Sequence, residues 1–539
     1  MIRQAGENRH MTYFRLFKVS LAASALVFSP VALAQSADEK EAEPPADAPS
    51  PDDPTLLTVS NAEANASDAD AKIALLQAQL AGLQAQLDTL KAQLPKAIPT
   101  WKGAPVSEDK EEGWSFKVRG RVQLDAAYAG KPANYVANRN LGFNARVRRF
   151  RLGIEGAIPG GFGYKMEADY ANAALTFGDV IFTYAPVGKP FAVTLGNFET
   201  MNGMEQISSS RWASFIERSQ GNDAFSNTRR LGIGVGYKTA DNLFRFDAGA
   251  FTAHSIDGSF DNDGWIGAAR AVYTPFVGKG FVHLGANFQH REFQSNNNAV
   301  ASTSNGAPST NQIARYRARP FLQTTDVRYV DTGNFAAKGD SIFGVEAYGV
   351  FKSLHLGGEA QWTKTDTYRP GDIQTGLDSF VGGSLATPAT NPSFFSIFGE
   401  VGYFLTGETR GYKSGTWDRT KVLKPFNKGG WGALQLTGRF DYLDLDSDAL
   451  KNAVTNNFAT GATSLAAAGT RAARGGTQTG YLLGLTWMPS DYVRFLANYI
   501  HTEVKGGPFA AAAQPLSTAT IDNRKFSTDA FAVRAQIDF

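Results

Sequence analysis

The sequence predicts an all-β fold, a transmembrane antiparallel β-barrel of about sixteen strands preceded by a short N-terminal coiled coil. Three observations predict it. Apolar and polar residues alternate one by one in segment after segment from Trp114 to the end, which gives a sheet with one apolar and one polar face. Beyond the amino end, no apolar run reaches the roughly 20 residues that a membrane helix needs. The final segment "DAFAVRAQIDF" sets Phe531, Val533, Ala535, Ile537 and Phe539 on one face and Arg534, Gln536 and Asp538 on the other. Backbone polar groups inside a bilayer must all be paired, and strands achieve that only in a closed barrel.

Residues 1–34 read as an export signal. Arg15 and Lys18 precede the apolar run "VSLAASALVF", and Ala32 to Ala34 offer a small-residue cleavage site before Gln35; Met11 is an equally good start. Without that segment the chain carries 49 bases against 50 acids, but the balance is uneven. Residues 35–70 hold ten acids and only Lys40, and read as a disordered acidic spacer. From Ala71 onward 48 bases face 40 acids, so the part expected to fold is basic. Zero Cys excludes disulfides and thiolate chemistry and suits an oxidising compartment.

Ile73, Leu76, Leu80, Leu83, Leu87, Leu90 and Leu94 are spaced three and four apart, with Ala and Gln between them, until Pro95. This is the seam of a short coiled coil over 71–95, with a helix packed on its own barrel as the alternative. So few heptads are marginal alone, so the barrel would have to help hold the partners. Residues 96–113 would link this helix to the first strand.

The barrel itself is assigned to 114–539. In "WSFKVRGRVQLDAAY", Phe116, Val118, Val122 and Leu124 oppose Lys117, Arg119, Arg121, Gln123 and Asp125. In "FNARVRRFRLGIEG" the phase shifts between Val147 and Phe150, which reads as a bulge. "FGYKMEADY" continues the pattern, and thirteen further segments follow to Phe539. Weak candidates near Arg315 and Arg328 raise the raw count to about eighteen. Short links such as "IPGG", "APVGKP" and "MPSD" alternate with long Asn-, Ser- and Gly-rich ones, which places the former in the periplasm and the latter outside. Aromatics near strand ends, such as Tyr184, Tyr273, Trp362, Trp487 and Tyr499, read as interface girdles.

Lys117, Arg119, Arg121, Arg146, Arg148, Arg151 and Lys165 project to the polar side of three adjacent strands. Inward residues follow one another at about 6.6 Å, so these bases make a ladder rather than one chelating site. Such a ladder suits conduction of small anions, since guanidinium forks match oxyanions and no single step traps them. The alternative is a wall network in which Asp125, Glu155, Glu167 and Asp169 neutralise the bases.

The segments "WSFKVRGRVQLDAAY", "RRFRLGIEG", "RARP" with "YVDTG", "YFLTGETRGYK" with "VLKPF", "GGWGALQLTGRFDYLDL" and the last strand together resemble the phosphate-selective porins, anion channels of the Gram-negative outer membrane. The resemblance implies a sixteen-stranded homotrimer, inserted by the barrel-assembly machinery, with one pore per subunit and inorganic phosphate among its solutes. It also implies a third external loop folded inward, here Glu199 to Thr228, with Arg211, Arg218, Arg229 and Arg230 as constriction candidates and Phe539 closing the barrel. Glu205 and Glu217 lie in the same loop, which keeps a general, weakly selective porin as the alternative. A non-channel binding barrel and an outer-membrane hydrolase are further alternatives. The six His show no metal-ligand spacing, no Ser–His pair stands out, and no cofactor, metal or nucleic-acid motif is present.

Overall fold

The computed structural model describes residues 61–93 and, from 100 onward, all but 102, 110, 134–139, 254, 257–263, 294–312, 368–383, 389, 452–453, 458–461, 466–474 and 515. The expected export signal, most of the acidic spacer, Leu94 and Pro95 lie outside the described residues. Helix α1 spans Asn61–Gln93 and so begins inside the stretch expected to be disordered. The cause is composition: "NAEANASDADAK" is rich in Ala, and Glu63 stands in the first turn near the positive end of the helix dipole. Ile73, Leu76, Leu80, Leu83 and Leu87 are each more than half exposed along α1. One helix is present, not a coiled coil, which would take a second chain. The expected linker is also partly ordered. Thr100–Trp101 pairs with Pro105–Asp109, which in turn pairs with the first wall strand, because Asp109 and Gly113 close a tight turn between them.

Sixteen long strands form the wall. They are β1 Trp114–Ala129, β2 Gly142–Ile158, β3 Phe162–Asp169, β4 Thr176–Tyr184, β5 Phe191–Glu199 and β6 Arg229–Lys238. β7 Phe244–Thr252, β8 Trp265–Tyr273, β9 Gly280–Glu292, β10 Phe335–Phe351 and β11 Leu354–Thr367 follow. The last five are β12 Ser393–Phe404, β13 Ala433–Asp444, β14 Thr477–Ser490, β15 Val493–Lys505 and β16 Lys525–Asp538. Each pairs antiparallel with the next, and β16 returns to β1 from Ala530↔Ala129 to Asp538↔Arg121. Closure leaves no unpaired edge in the apolar medium.

The raw count of eighteen does not hold. The segments near Arg315 and Arg328 form a two-residue ladder, Arg317–Ala318 with Val330–Asp331, inside a loop. Its Ala318 and Val330 are buried among Tyr316, Phe335 and Phe526 rather than set in the wall. The expected bulge is present: Gln123 faces Arg149 and Leu124 faces Val147, so Arg148 is the extra residue. Alternation is strict on β16, where Phe531, Val533 and Ile537 are exposed outward while Arg534, Gln536 and Asp538 are buried inward.

Three segments fold into the barrel. The first is 200–228, between β5 and β6. The second is 313–334, before β10. The third, 405–432, joins β12 to β13 at the end where the other links are short, and sequence reading did not single it out as inward. Its Trp417 is buried and donates its backbone N–H to Ser208 Oγ at 3.0 Å, so it meets the first segment inside the lumen.

The chain's last residue packs at one end of the β16–β1 seam. Phe539 exchanges backbone bonds with Gly120 at 3.0 and 3.1 Å, and a Cβ on Gly120 would stand 2.1 Å from the Phe539 ring. The ring therefore covers a gap that only glycine leaves. Gly120→Leu should displace Phe539 and lower stability by about 1–3 kcal/mol. Guanidinium unfolding followed by heat-modified gel mobility reads the shift; an unchanged midpoint contradicts this packing.

Candidate functional site

The inward segment 200–228 is built and held by hydrogen bonds to the wall. At its root Asn202 donates to Asn227 O at 2.6 Å and accepts from Gln289 at 2.8 Å. The short helix α2, Met204–Ile207, has its first N–H groups bonded to Glu346 and Glu359, each at 2.5 Å. A Cβ at Gly203 would lie 2.2 Å from Glu359 Oε2, so glycine lets the chain approach these two carboxylates.

The tip is pinned next. Arg121 donates to Ser210 Oγ at 2.7 Å, Gln536 to Arg211 O at 3.1 Å, and Arg494 to the carbonyls of Arg211 and Ala213. Arg410 of the third inward segment donates to Trp212 O and Ser214 Oγ, both at 2.8 Å. Ile216 N–H reaches Asn498 at 2.8 Å. Glu217 accepts a two-pronged bond from Arg148 at 2.6 and 3.0 Å and a third from Arg534 at 3.2 Å. The returning helix α3, Gln220–Phe225, bonds Asp441, and Arg439 ties Glu205 to Glu400 at 2.6 Å each.

These bonds fix the segment against β9–β16 and β1 and, through Arg148, against one point of β2, and they leave open the rest of the side facing β2–β8. Two cavities lie there, of about 330 and 790 Å³. Arg149, Arg151, Glu199, Arg218 and Arg229 line both, which makes this five-residue set their common section.

Most of the expected ladder is bonded to acids. Arg119 pairs with Glu155, Lys165 with Asp179, and Arg151 with Glu167 at 2.8 Å and Asp169 at 2.7 Å. Arg121 reaches Glu167 at 3.4 Å, and Arg148 is the anchor of Glu217. Arg146 bonds Gln323 O at 2.6 Å and so props the second inward segment. Lys117 lies across from Glu155 in the β1–β2 register and lines neither cavity. Five of these seven bases thus follow the wall-network alternative, because the low-dielectric wall favours paired charges, while Arg146 and Lys117 do not.

The constriction candidates divide. Arg229 pairs with Asp179 at 2.5 Å and Glu199 at 2.7 Å. Arg218 donates to the carbonyls of Glu205, Gln206 and Ser208 at 2.8–3.0 Å and carries no ion pair among the described residues. Arg211 lines the smaller cavity, 3.8 Å from Glu167, and burial beside Arg119 pulls its pKa down to about 10. Arg230 is a correction: it bonds Ala253 O at 3.1 Å and Thr228, and it lines neither cavity, since it sits beyond the point where the loop leaves β6. Glu205 and Glu217, which weighed against anions in the sequence, are both tied to arginines.

Arg149, which follows the bulge on β2 and lines both cavities, is not among the lining bases expected from the sequence. It donates to Gln123 at 2.9 Å and, like Arg218, has no ion pair among the described residues. The bulge brings it inward beside Arg148, and the phase shift was the available signal. The Arg- and Trp-rich run "TRGYKSGTWDR" likewise marked the third inward segment: Arg410 lies 4.1 Å from the Trp417 ring centre. Among the described residues no group of three or more His, Asp or Glu could hold a metal.

Burial alone would raise the Glu217 carboxyl, but Arg148, with Arg149 and Arg534, holds it at about 2, below the ordinary 4.5. A depressed pKa contributes stability in full above the ordinary value and loses it as pH falls through the folded one. Single-channel conductance should therefore keep its size down to about pH 3 and change only near pH 2. A step between about pH 5 and 4 contradicts the anchor.

Comparison with known proteins accords with this architecture. The family model described as "Phosphate-selective porin O and P" matches residues 116–539. An uncharacterized protein of Caulobacter vibrioides is 31% identical over 447 residues, covering 82% of this chain and 77% of its own. Porin O of Pseudomonas aeruginosa is 24% identical over 426 residues, covering 75% of this chain and 86% of its own. Among solved structures, the anion-selective porin of Comamonas acidovorans aligns over 79% of this chain and 100% of its own, with 13% identity and a TM-score of 0.43. The outer-membrane OmpT of Vibrio cholerae aligns over 80% and 99%, with 10% identity and a TM-score of 0.43. With the family model matched from the first wall strand to the last residue, the chain belongs to the phosphate-selective porin O and P family of outer-membrane β-barrel channels.

Proposed function

We propose that the chain is a passive diffusion pore of the Gram-negative outer membrane, open to small hydrophilic solutes with a weak preference for anions. Its short turns lie in the periplasm and its long loops outside. The charge balance around the two cavities carries this reading. Twelve bases line them, Arg119, Arg121, Arg148, Arg149, Arg151, Lys165, Arg211, Arg218, Arg229, Arg245, Arg270 and Arg319, against six acids, Glu167, Asp179, Glu199, Glu217, Asp223 and Asp247. A surplus of that size draws anions without excluding neutral solutes. Inorganic phosphate is the solute that family membership favours. Against a dedicated phosphate path, a guanidinium already bonded to a carboxylate has fewer donors left for an oxyanion.

The assembly is proposed as a homotrimer held mainly by the barrel walls, with the exposed leucine seam of α1 as an added tie between copies. The N-terminal segment that remains once the export signal is removed, α1 included, is proposed as periplasmic.

In planar bilayers across a KCl gradient, the reversal potential should show a modest chloride preference. Arg149→Ala with Arg218→Ala should cost anions about 1 kcal/mol at entry, roughly fivefold in the permeability ratio. Clear cation preference in the unaltered protein contradicts the reading. Titrating phosphate into chloride decides between solutes: block at low phosphate returns the pore to a phosphate channel, and no competition leaves it general. Separately, Leu80→Glu with Leu87→Glu should lower the temperature at which oligomers dissociate on gels while insertion continues; unchanged resistance removes α1 from the interface.

A further inference from the structure

On the outer wall, four aromatic residues stand in one row across four strands. Phe288 faces Phe343, Phe343 faces Trp362, and Trp362 faces Phe395 in the register of β9 to β12. Three of the rings touch in sequence, with centroids 5.8 Å apart for Phe343 and Trp362 and 5.3 Å for Trp362 and Phe395. One step toward the long-loop end, the next outward row is polar: Ser341 faces Lys364, and Lys364 faces Ser393. The two rows border a groove of about 460 Å³ that ends at Asp444 and Asp446.

The chemistry of this groove is amphipathic in one direction. Its floor is aromatic and half exposed, with Trp362 at 45% and Phe343 at 46%, and suits an acyl chain rather than water. Its upper edge carries a single cation, Lys364, exposed and without an ion pair among the described residues, and Ser393 adds a hydroxyl. Ser341 already shares a hydrogen bond of 2.9 Å with His290. An ammonium directly above an apolar floor at the membrane boundary is complementary to a phosphate carried on a hydrocarbon chain. Asp444 stands opposite Phe395 on β13, two strands and so about 10 Å from Lys364 on β11, which leaves the lysine as the seat for a phosphate.

We propose that this groove holds a phosphate-bearing lipid of the leaflet at the long-loop end, its acyl chain on the Phe288–Phe395 row and its phosphate on Lys364. The site is on the outside of the wall and is independent of what passes through the lumen.

The test uses the full-length protein, purified in detergent, given phosphorylated lipid A and measured by native mass spectrometry. The unaltered protein should retain the lipid through detergent exchange, and Lys364→Gln should reduce retention severalfold, with gel mobility showing an intact barrel. Lys505→Gln, at another outward lysine, should leave retention unchanged. Inorganic phosphate without a chain should not displace the lipid, and dephosphorylated lipid A should bind as poorly as phosphorylated lipid A binds to Lys364→Gln. Equal retention by Lys364→Gln overturns the proposal, as does an equal loss in Lys505→Gln, which would indicate attraction by surface charge in general. Displacement by phosphate alone would indicate an ion site and also overturns it. So does absence of lipid from every oligomer, the result expected if a second copy of the chain covers this face.

Discussion

Charges placed on the inner wall of a closed barrel must be satisfied, and the structure depends on how that is done. A buried charge left without its partner costs roughly 3–5 kcal/mol. On β1, β2 and β10–β16 the partners come largely from the inward segment 200–228 and from acids on neighbouring strands. Glu217 answers Arg148 and Arg534, Glu205 answers Arg439, and Asp125 takes two bonds from Arg534 at 2.6 and 2.7 Å. The segment therefore cannot rest in the middle of the lumen. It lies where the unpaired wall charges are, and the remaining space becomes the passage.

The third inward segment completes this arrangement from the opposite end. Arg270, buried on β8, bonds Glu346 at 2.5 and 2.9 Å and Gly415 O at 3.0 Å, so one guanidinium joins the wall, the acid under α2 and the 405–432 segment. Arg419 adds a partly buried link to Asp538 at 2.5 Å and stacks 4.7 Å from the Trp212 ring. The half of the lumen behind the first segment is thus filled by protein. The half toward β2–β8 keeps its water-facing arginines.

The wall was legible in the sequence because period-two alternation is a local signal. Each of the sixteen strands carries it unaided, and even the bulge at Arg148 shows as a change of phase. What lay inside was less legible. Whether Arg119 or Arg151 is free or paired depends on which carboxylates the register sets opposite, and Glu155↔Lys117 and Asp169↔Arg151 are cross-strand facts that no single segment contains. The inward course of 405–432 was missed because its polar, Gly-rich run looks like any exposed connection. Only its Arg–Trp density distinguished it. The helix α1 extended further than expected because Ala outweighed the acidic composition of its first turns.

The central claim is that solutes pass between the first inward segment and β2–β8, and that the other side is closed. The chain has no Cys, so single cysteines can be introduced and probed with a charged thiol reagent while current is recorded. Thr194, which lines the open side, and Thr437, buried behind the segment, are the informative pair. A passage on the β2–β8 side predicts that Thr194→Cys reacts and its current falls, while Thr437→Cys stays unmodified. Rapid modification and block at Thr437→Cys, with none at Thr194→Cys, would contradict it.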